Sequence, residues 1–264
     1  MRKQILLTVL ALLGCCTAAW ADVEINEANF PDENFRKWVL RQDYGQDGVL
    51  TDAEIAKVIC INVPFENIRS LKGIEYFTAL TTLGCSWSQL TELDVSKNTA
   101  LTELRCGCNQ LTALDVSKNI ALTELDCGVN KLTKLDVSQN TALTTLDCSF
   151  NQLMELDVSK NTALEKLYCY YNQLTALDVS KNIALTELWC YRNQIMGAAM
   201  DALVESLPTV ENGKMNVISN EDEGYVMTTA QAAAAKAKGW IPQYTDGSYD
   251  ELNIIWKEYK GSKR

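Results

Sequence analysis

The sequence predicts an α/β solenoid, because the same side chains return at a fixed interval of 21 residues. Two leucine columns begin at Leu80 and Leu83, and an asparagine column runs from Asn109 to Asn193, with Ser88 in the first copy. The third column is cysteine: Cys85, Cys106, Cys127, Cys148, Cys169 and Cys190. The unit reads L-x-x-L-x-C-x-x-N-x-L, which is a right-handed leucine-rich repeat with cysteine at a core leucine position.

Residues 1–21 predict an export signal. Two basic residues precede an apolar run, and Ala19-Trp20-Ala21 forms a small-x-small cleavage site. The alternative is a lipoprotein signal, in which Leu12-Leu13-Gly14 precedes a lipidated Cys15. Under both alternatives we expect an extracytoplasmic protein that is secreted, periplasmic or held at the cell surface. No later apolar stretch approaches the ~18 residues that a membrane helix needs.

Residues 22–57 predict a helical amino-terminal cap that contains an EF-hand-like loop over residues 43–54. Asp43 occupies position 1 of a calcium loop, Asp47 position 5 and Glu54 the bidentate position 12, while Val49 would offer its carbonyl. Position 3 is a glycine, which removes one oxygen ligand. The loop is therefore expected either to bind Ca²⁺ or to serve as a metal-free cap, and no cofactor is required.

Residues 58–196 hold the repeats, degenerate at first and regular from Leu80. In each repeat a stretch such as Leu101–Cys106 alternates as a half-buried strand does, so the strands are expected to stack into a parallel, concave sheet. The remaining half of the repeat is too short for a long helix and predicts an extended or tightly turned outer wall. Parallel Cβ vectors suit disulfide geometry poorly, so the cysteine column predicts free, buried thiols. The asparagines are expected to bond the backbone of the next turn.

The outward positions of the last two repeats predict a binding face. Four aromatic residues occupy adjacent outward positions on neighbouring strands, and they cannot all be buried: Tyr168, Tyr170, Trp189 and Tyr191. Tyr171 and Arg192 follow at the strand exits, Lys166 lies beside them, and Asp126 and Asp147 form an acidic stripe on the preceding strands. Exposed aromatic residues edged by arginine are typical of binding hot spots.

Residues 197–247 predict a small α/β carboxy-terminal cap, because a solenoid must cover the open end of its core. Residues 248–264 form a tail that ends in basic residues and is expected either to add a strand or to lack order.

The repeat L-T-x-L-D-V-S-x-N-T-A-L-x-x-L-x-C-x-x-N-Q resembles the cysteine-ladder repeats of internalin-like surface proteins. It also resembles the leucine-rich repeat proteins common in Bacteroides and Prevotella relatives. Two flanking segments look like the caps of that group, namely residues 25–31 and residues 232–240. The resemblance implies an exported interaction or adhesion-type protein and no enzyme.

The charge and residue content of the chain limit the classes of partner and activity that we expect. The chain carries a net charge of −10, and loss of a signal with two basic and no acidic residues leaves −12. Such a chain disfavours nucleic acid, whose binding depends on Lys and Arg. The sequence contains no histidine, which excludes Ser-His and Cys-His nucleophile pairs. We expect a monomer that binds a protein or a glycan. The alternatives are a structural cell-envelope protein without a ligand and, more remotely, a glycan or peptide hydrolase that uses concave-face carboxylates.

Overall fold

A computed structural model describes residues 22–218, 227–244, 249–250, 253–254 and 257–261. The signal segment, and with it Cys15, lies outside these ranges. The strands are β1 Val23–Glu24, β2 Val49–Leu50, β3 Cys60–Asn62, β4 Thr82–Gly84, β5 Glu103–Arg105, β6 Glu124–Asp126, β7 Thr145–Asp147, β8 Lys166–Tyr168, β9 Glu187–Trp189, β10 Gly213–Ile218, β11 Trp240–Tyr244, β12 Tyr249–Asp250, β13 Asn253–Ile254 and β14 Lys257–Glu258. The α-helices are α1 Glu33–Leu40, α2 Asp52–Ile55, α3 Ala198–Ser206 and α4 Thr229–Ala237, and a 3₁₀ turn covers Ile74–Tyr76.

One ten-stranded sheet runs the length of the solenoid in the order β14-β11-β10-β9-β8-β7-β6-β5-β4-β3. The strands β3 to β11 pair in parallel, and β14 pairs antiparallel with β11. The register steps by one repeat from strand to strand, so that Leu104 pairs with Leu125 and Leu125 with Leu146. The predicted parallel-strand leucine-rich repeat solenoid is therefore confirmed. The outer half of each repeat consists of turns and irregular backbone, as its length predicts.

The core is a stack of leucine, valine and cysteine columns. All six ladder cysteines are buried and free. Burial raises the pKa of the Cys85 and Cys190 thiols to about 12, so these side chains are protonated at neutral pH and pack as small apolar groups. The prediction of a free thiol column is confirmed.

Asparagine side chains bond one turn of the solenoid to another. The Asn130 carboxamide accepts from the Leu111 N–H and donates to the Cys106 carbonyl, at 2.9 and 3.1 Å. Both of these partners belong to the preceding turn, so the expected direction, toward the next turn, is wrong. A second, fully buried asparagine column lies in the outer wall, where Asn140 Nδ2 donates to the carbonyls of Val116 and Asn119 at 2.9 Å each.

Both caps cover an end of this core. Asp32 begins α1 by accepting from the Phe35 N–H, and its second oxygen accepts from the backbone N–H groups of Arg69 and Ser70. One side chain thereby starts a helix and fixes that helix to the first turn. At the other end, β10 and β11 extend the repeat sheet and Trp240 is buried. The helix α3 precedes β10 in sequence, and α4 lies between β10 and β11. No described helix has the length and apolar character of a membrane span.

Candidate functional site

The sheet places the outward residues of the middle repeats in one lateral row. Arg105, Asp126, Asp147, Tyr168 and Trp189 occupy equivalent positions of β5 to β9, and each is the register partner of the next. Neighbouring members are therefore about 4.8 Å apart along the sheet. The row changes from cationic to anionic to aromatic within five strands, so the predicted acidic stripe and the predicted aromatic residues are neighbours. Lys166 is exposed on β8, between Thr145 and Glu187.

Six rings form a continuous group, which we term the aromatic cluster: Phe150, Tyr168, Tyr170, Tyr171, Trp189 and Tyr191. Tyr170 lies at its centre, stacked on Tyr191 at 4.6 Å between ring centroids and edge-on to Phe150 at 5.3 Å. Phe150 and Tyr171 stack at 4.3 Å, and Tyr168 meets Trp189 edge-on at 5.0 Å. Offset and edge-on pairs at these distances hold rings in fixed positions.

Exposure within the aromatic cluster differs from the sequence expectation at one ring. Phe150 and Tyr171 are 42% and 37% exposed, and Tyr168, Tyr170 and Trp189 are half-buried. Tyr191 was expected on the open surface with them, but it is 7% exposed because Tyr170 stacks over it. The Arg192 guanidinium lies 5.5 Å from the Tyr171 ring centroid, within range of a cation–π contact.

Phe150, which the sequence analysis did not single out, belongs to the same column of strand exits as Tyr171 and Arg192. The residue at each strand exit adopts a left-handed backbone, with φ between 50° and 57°, although none of these residues is glycine: Trp87, Cys108, Val129, Phe150, Tyr171 and Arg192. This conformation turns the side chain outward, and four of the six are exposed large hydrophobic residues. Asparagine or glycine would have signalled such a turn, whereas aromatic and β-branched residues disfavour it. The signal available in the sequence was the variability of this position immediately before the asparagine column.

Asp126 and Asp147, which we term the acidic pair, are half-buried carboxylates. Burial raises the pKa of Asp126 to about 6, with the charge of Asp147 adding to the effect and the Gly128 N–H opposing it. Burial also raises the pKa of Asp147, although Ser149 donates to it from both its N–H and its hydroxyl, at 2.9 and 2.6 Å. With a pKa of about 6, Asp126 is mostly ionised at neutral pH, so this part of the concave face carries negative charge.

The EF-hand-like loop does not gather its predicted ligands. Asp47 Oδ1 accepts from the Val49 N–H at 3.1 Å, as in a turn, and Gly48 has the positive φ of 86° that the sharp bend requires. The Glu54 side chain points back to Thr51 and forms a capping box with it. Its carboxylate accepts hydrogen bonds from the Thr51 N–H and hydroxyl at 2.9 and 2.7 Å. Asp43 accepts a long hydrogen bond of 3.4 Å from the Gln46 side-chain amide. The described residues contain no group of three or more metal-binding side chains, and calcium at this loop stays a prediction.

No protein-family model and no curated protein matches the chain. Several solved structures do match the chain. Internalin C2 from Listeria monocytogenes is 18% identical with a TM-score of 0.68, covering 85% of this chain and 97% of that one. The leucine-rich repeat domain of APL1B is 20% identical with a TM-score of 0.57, covering 73% and 56%.

A third likeness is the functional domain of InlJ from Listeria monocytogenes, which includes a cysteine ladder. It is 27% identical with a TM-score of 0.38, and the alignment covers 89% of this chain and 64% of that domain. The likenesses to internalin C2 and to the APL1B domain establish the leucine-rich repeat fold, and with it the expected likeness in fold to an internalin.

Proposed function

We propose that this chain is a non-enzymatic, exported binding protein that recognises a protein ligand through the concave face of its last three repeats. The aromatic cluster carries the proposal. Rings that are rigid, half-exposed and edged by arginine supply much contact area at small entropic cost, which is why Tyr, Trp and Arg dominate binding hot spots. The likeness in fold to internalins supports a binding role and extracytoplasmic location.

The position of the aromatic cluster also supports binding. Trp87 and Phe65 form a second, smaller exposed stack at the far end of the repeats, 5.7 Å between ring centroids. The structural columns of Leu and Cys are the same at both ends, so the repeat fold does not require six rings at one of them. Their concentration beside the acidic pair is the distinguishing feature of this face.

The test is a surface-binding screen of the chain expressed from Asp22 against bacterial and host surface proteins and glycans. The key variant is Phe150→Ala/Tyr170→Ala/Tyr171→Ala, which removes exposed rings and leaves the buried Tyr191 in place. The matched control is Trp87→Ala, which removes a 60% exposed ring from the equivalent strand exit of the first repeat. We expect a partner that the control retains and the key variant loses by at least about tenfold, since a hot-spot ring contributes about 2 kcal/mol or more.

A partner that the key variant binds as tightly as the wild type would refute this assignment. A glycan partner lost in the key variant would keep the face and change the ligand class. Catalysis is tested on the same preparation: turnover of a glycan or peptide that Asp126→Asn abolishes would replace the binding role by the hydrolase alternative. Absence of any partner would favour the structural cell-envelope alternative.

A further inference from the structure

The strand exits form one exposed ridge along the whole repeat array, which extends well beyond the aromatic cluster. Phe65 precedes the six left-handed residues described above and shares their conformation, with a φ of 61°. Neighbouring members lie one strand spacing apart, so the row is about 29 Å long. We term these seven residues the strand-exit ridge: Phe65, Trp87, Cys108, Val129, Phe150, Tyr171 and Arg192.

The backbone and the ring stacks hold the strand-exit ridge in a fixed shape. Each exit from Trp87 to Tyr171 donates its N–H to a carbonyl of the following turn, at 2.9 to 3.1 Å. Phe65 stacks on Trp87 at 5.7 Å between ring centroids, and Phe150 stacks on Tyr171 at 4.3 Å. Phe65, Trp87 and Val129 are 67%, 60% and 46% exposed. A contiguous apolar surface of this kind is typical of a site of protein association.

The surface beside the strand-exit ridge carries no acidic side chain, although the whole chain has a net charge of −10. A second column at the surface lies two residues beyond the ridge, and it consists of Gln89, Gln110, Lys131, Gln152, Gln173 and Gln194. The two columns together contain only two charged residues, Lys131 and Arg192. Two copies of an acidic protein repel each other over most of their surfaces, so a strip without carboxylates is where they can approach.

The order of side chains along the strand-exit ridge is the same in both directions. Its first six members read ring, ring, small, small, ring, ring: Phe65, Trp87, Cys108, Val129, Phe150 and Tyr171. A two-fold axis between Cys108 and Val129 would therefore lay each stacked pair of rings on the other pair of a second copy. A two-fold interface requires such a patch, because the same surface must be complementary to itself.

The seventh member adds a charge match. In the antiparallel arrangement Arg192 of one copy lies beside Phe65 of the other, next to Glu66. The Glu66 carboxylate contacts Arg41 at 3.3 Å, but its side chain remains 40% exposed. Arg192 can therefore approach a carboxylate at each end of the paired ridges.

We propose that the strand-exit ridge joins two copies of this chain in an antiparallel, two-fold dimer whose axis passes between Cys108 and Val129. The proposal departs from the monomer that we expected from the sequence, and it does not depend on the proposed function. It adds a consequence for that function: the dimer covers Phe150 and Tyr171, so a second copy and a ligand of the aromatic cluster compete. A narrow ridge buries less than the ~800 Å² per partner of a stable complex, and we expect a Kd on the order of 10 to 100 µM.

Sedimentation equilibrium of the chain from Asp22, between about 5 and 500 µM in reducing buffer, measures this dimer directly. Val129→Asp places the carboxylates of both copies beside the axis and should weaken the dimer at least about tenfold. Aspartate accepts a left-handed backbone more readily than valine, so this change does not strain the fold. Ile183→Asp is the matched control, because it adds the same charge at a 75% exposed residue of the outer wall and should leave the Kd unchanged.

A mixture of variants tests the two-fold axis itself. Val129→Lys alone should also weaken the dimer, because two like charges then meet beside the axis. An equimolar mixture of Val129→Asp and Val129→Lys should restore association, since the two-fold brings residue 129 of each copy close to its counterpart. A head-to-tail contact would place residue 129 against a different residue, and the mixture would stay as weak as the single variants.

A wild type that remains monomeric at about 500 µM would overturn the proposal. A dimer that Val129→Asp leaves intact, or a mixture that fails to restore association, would overturn it as well. The sedimentation experiment contains no ligand, and the surface-binding screen can be run at concentrations where the chain is monomeric. Failure of the dimer therefore leaves the proposed function untouched, and loss of the binding role leaves the dimer untouched.

Discussion

Replacing Asp126 by asparagine should stabilise the fold at neutral pH, although it removes a functional group. Folding moves this carboxyl into a half-buried position beside Asp147, where its charge is poorly solvated. Asparagine has nearly the same shape, keeps an oxygen to accept from the Gly128 N–H, and carries no charge. The substitution therefore removes the unfavourable burial of charge and little else.

The magnitude and sign follow from the pKa of Asp126. Its value rises from 3.8 to about 6 on folding, so between these values the folded state binds more protons than the unfolded state and stability falls as pH rises. Each pKa unit corresponds to about 1.4 kcal/mol, which makes about 3 kcal/mol an upper limit for the two-unit shift. Solvent screening of a half-buried group reduces this to about 1 to 2 kcal/mol. The gain should be complete at pH 7.5 and absent at pH 3.5.

Urea denaturation of the wild type and Asp126→Asn at both pH values measures the effect as a double difference, which cancels the titration of all other groups. Asp115→Asn is the control: Asp115 lies on the exposed outer wall, where the Ser117 N–H lowers its pKa, so this substitution should bring no gain at pH 7.5. If Asp126→Asn destabilises at pH 7.5, or stabilises equally at both pH values, the burial argument is wrong.

Three further predictions concern the ladders and the cap. Iodoacetamide at pH 8 should alkylate the exposed Cys60 quickly and the half-buried Cys108 more slowly, and should reach the six ladder thiols only after unfolding; more than two added groups per folded chain from Asp22, by intact mass, would contradict the buried column. Asn140→Ala should lower the free energy of unfolding by about 1 to 3 kcal/mol in urea, since it removes two buried hydrogen bonds to carbonyls that then keep only one backbone donor each; a loss below about 0.5 kcal/mol would show that the outer asparagine column is dispensable. Calorimetric titration with Ca²⁺ tests the loop at residues 43–54, and heat that Asp43→Ala and Glu54→Ala do not remove would place any calcium elsewhere.

The periodic part of the fold could be predicted from the sequence, because each column occupies one environment in every turn. Leu104 and Cys106 follow the alternation of a half-buried strand, and their counterparts 21 residues away do the same. The direction of the asparagine bonds could not be derived in this way. A repeat pattern is the same read toward the preceding or the following turn, and only the geometry of the backbone distinguishes the two.

Non-periodic features were harder to predict for a related reason. The positive φ at Phe150 and Tyr171 contradicts the local preference of both residues, and is imposed by the backbone that the repeat shares. Tyr191 is buried by contact with its neighbours in space, whereas its position in the alternation indicates exposure. Glu54 suits both a calcium loop and a capping box, and the sequence alone does not choose between them.

Partly buried carboxylates and an aromatic residue in a left-handed conformation occur together where we propose the ligand binds, although the left-handed conformation itself is present in every repeat. In the first repeat, Gly84 occupies the position that Asp126 and Asp147 hold in later repeats. The other outward position of the strand is threonine or lysine in some repeats, so neither member of the acidic pair is needed for folding. Residues in left-handed conformations cost of order 1 to 3 kcal/mol each, and an exposed aromatic ring recovers little of this by packing in the free protein. One repeat combines both features in Asp147 and Phe150, and its neighbour supplies Tyr170. The hydrogen bonds from Ser149 to Asp147 and the stacking of Phe150 offset only part of these costs, and the combination therefore supports the proposal that this face binds a ligand.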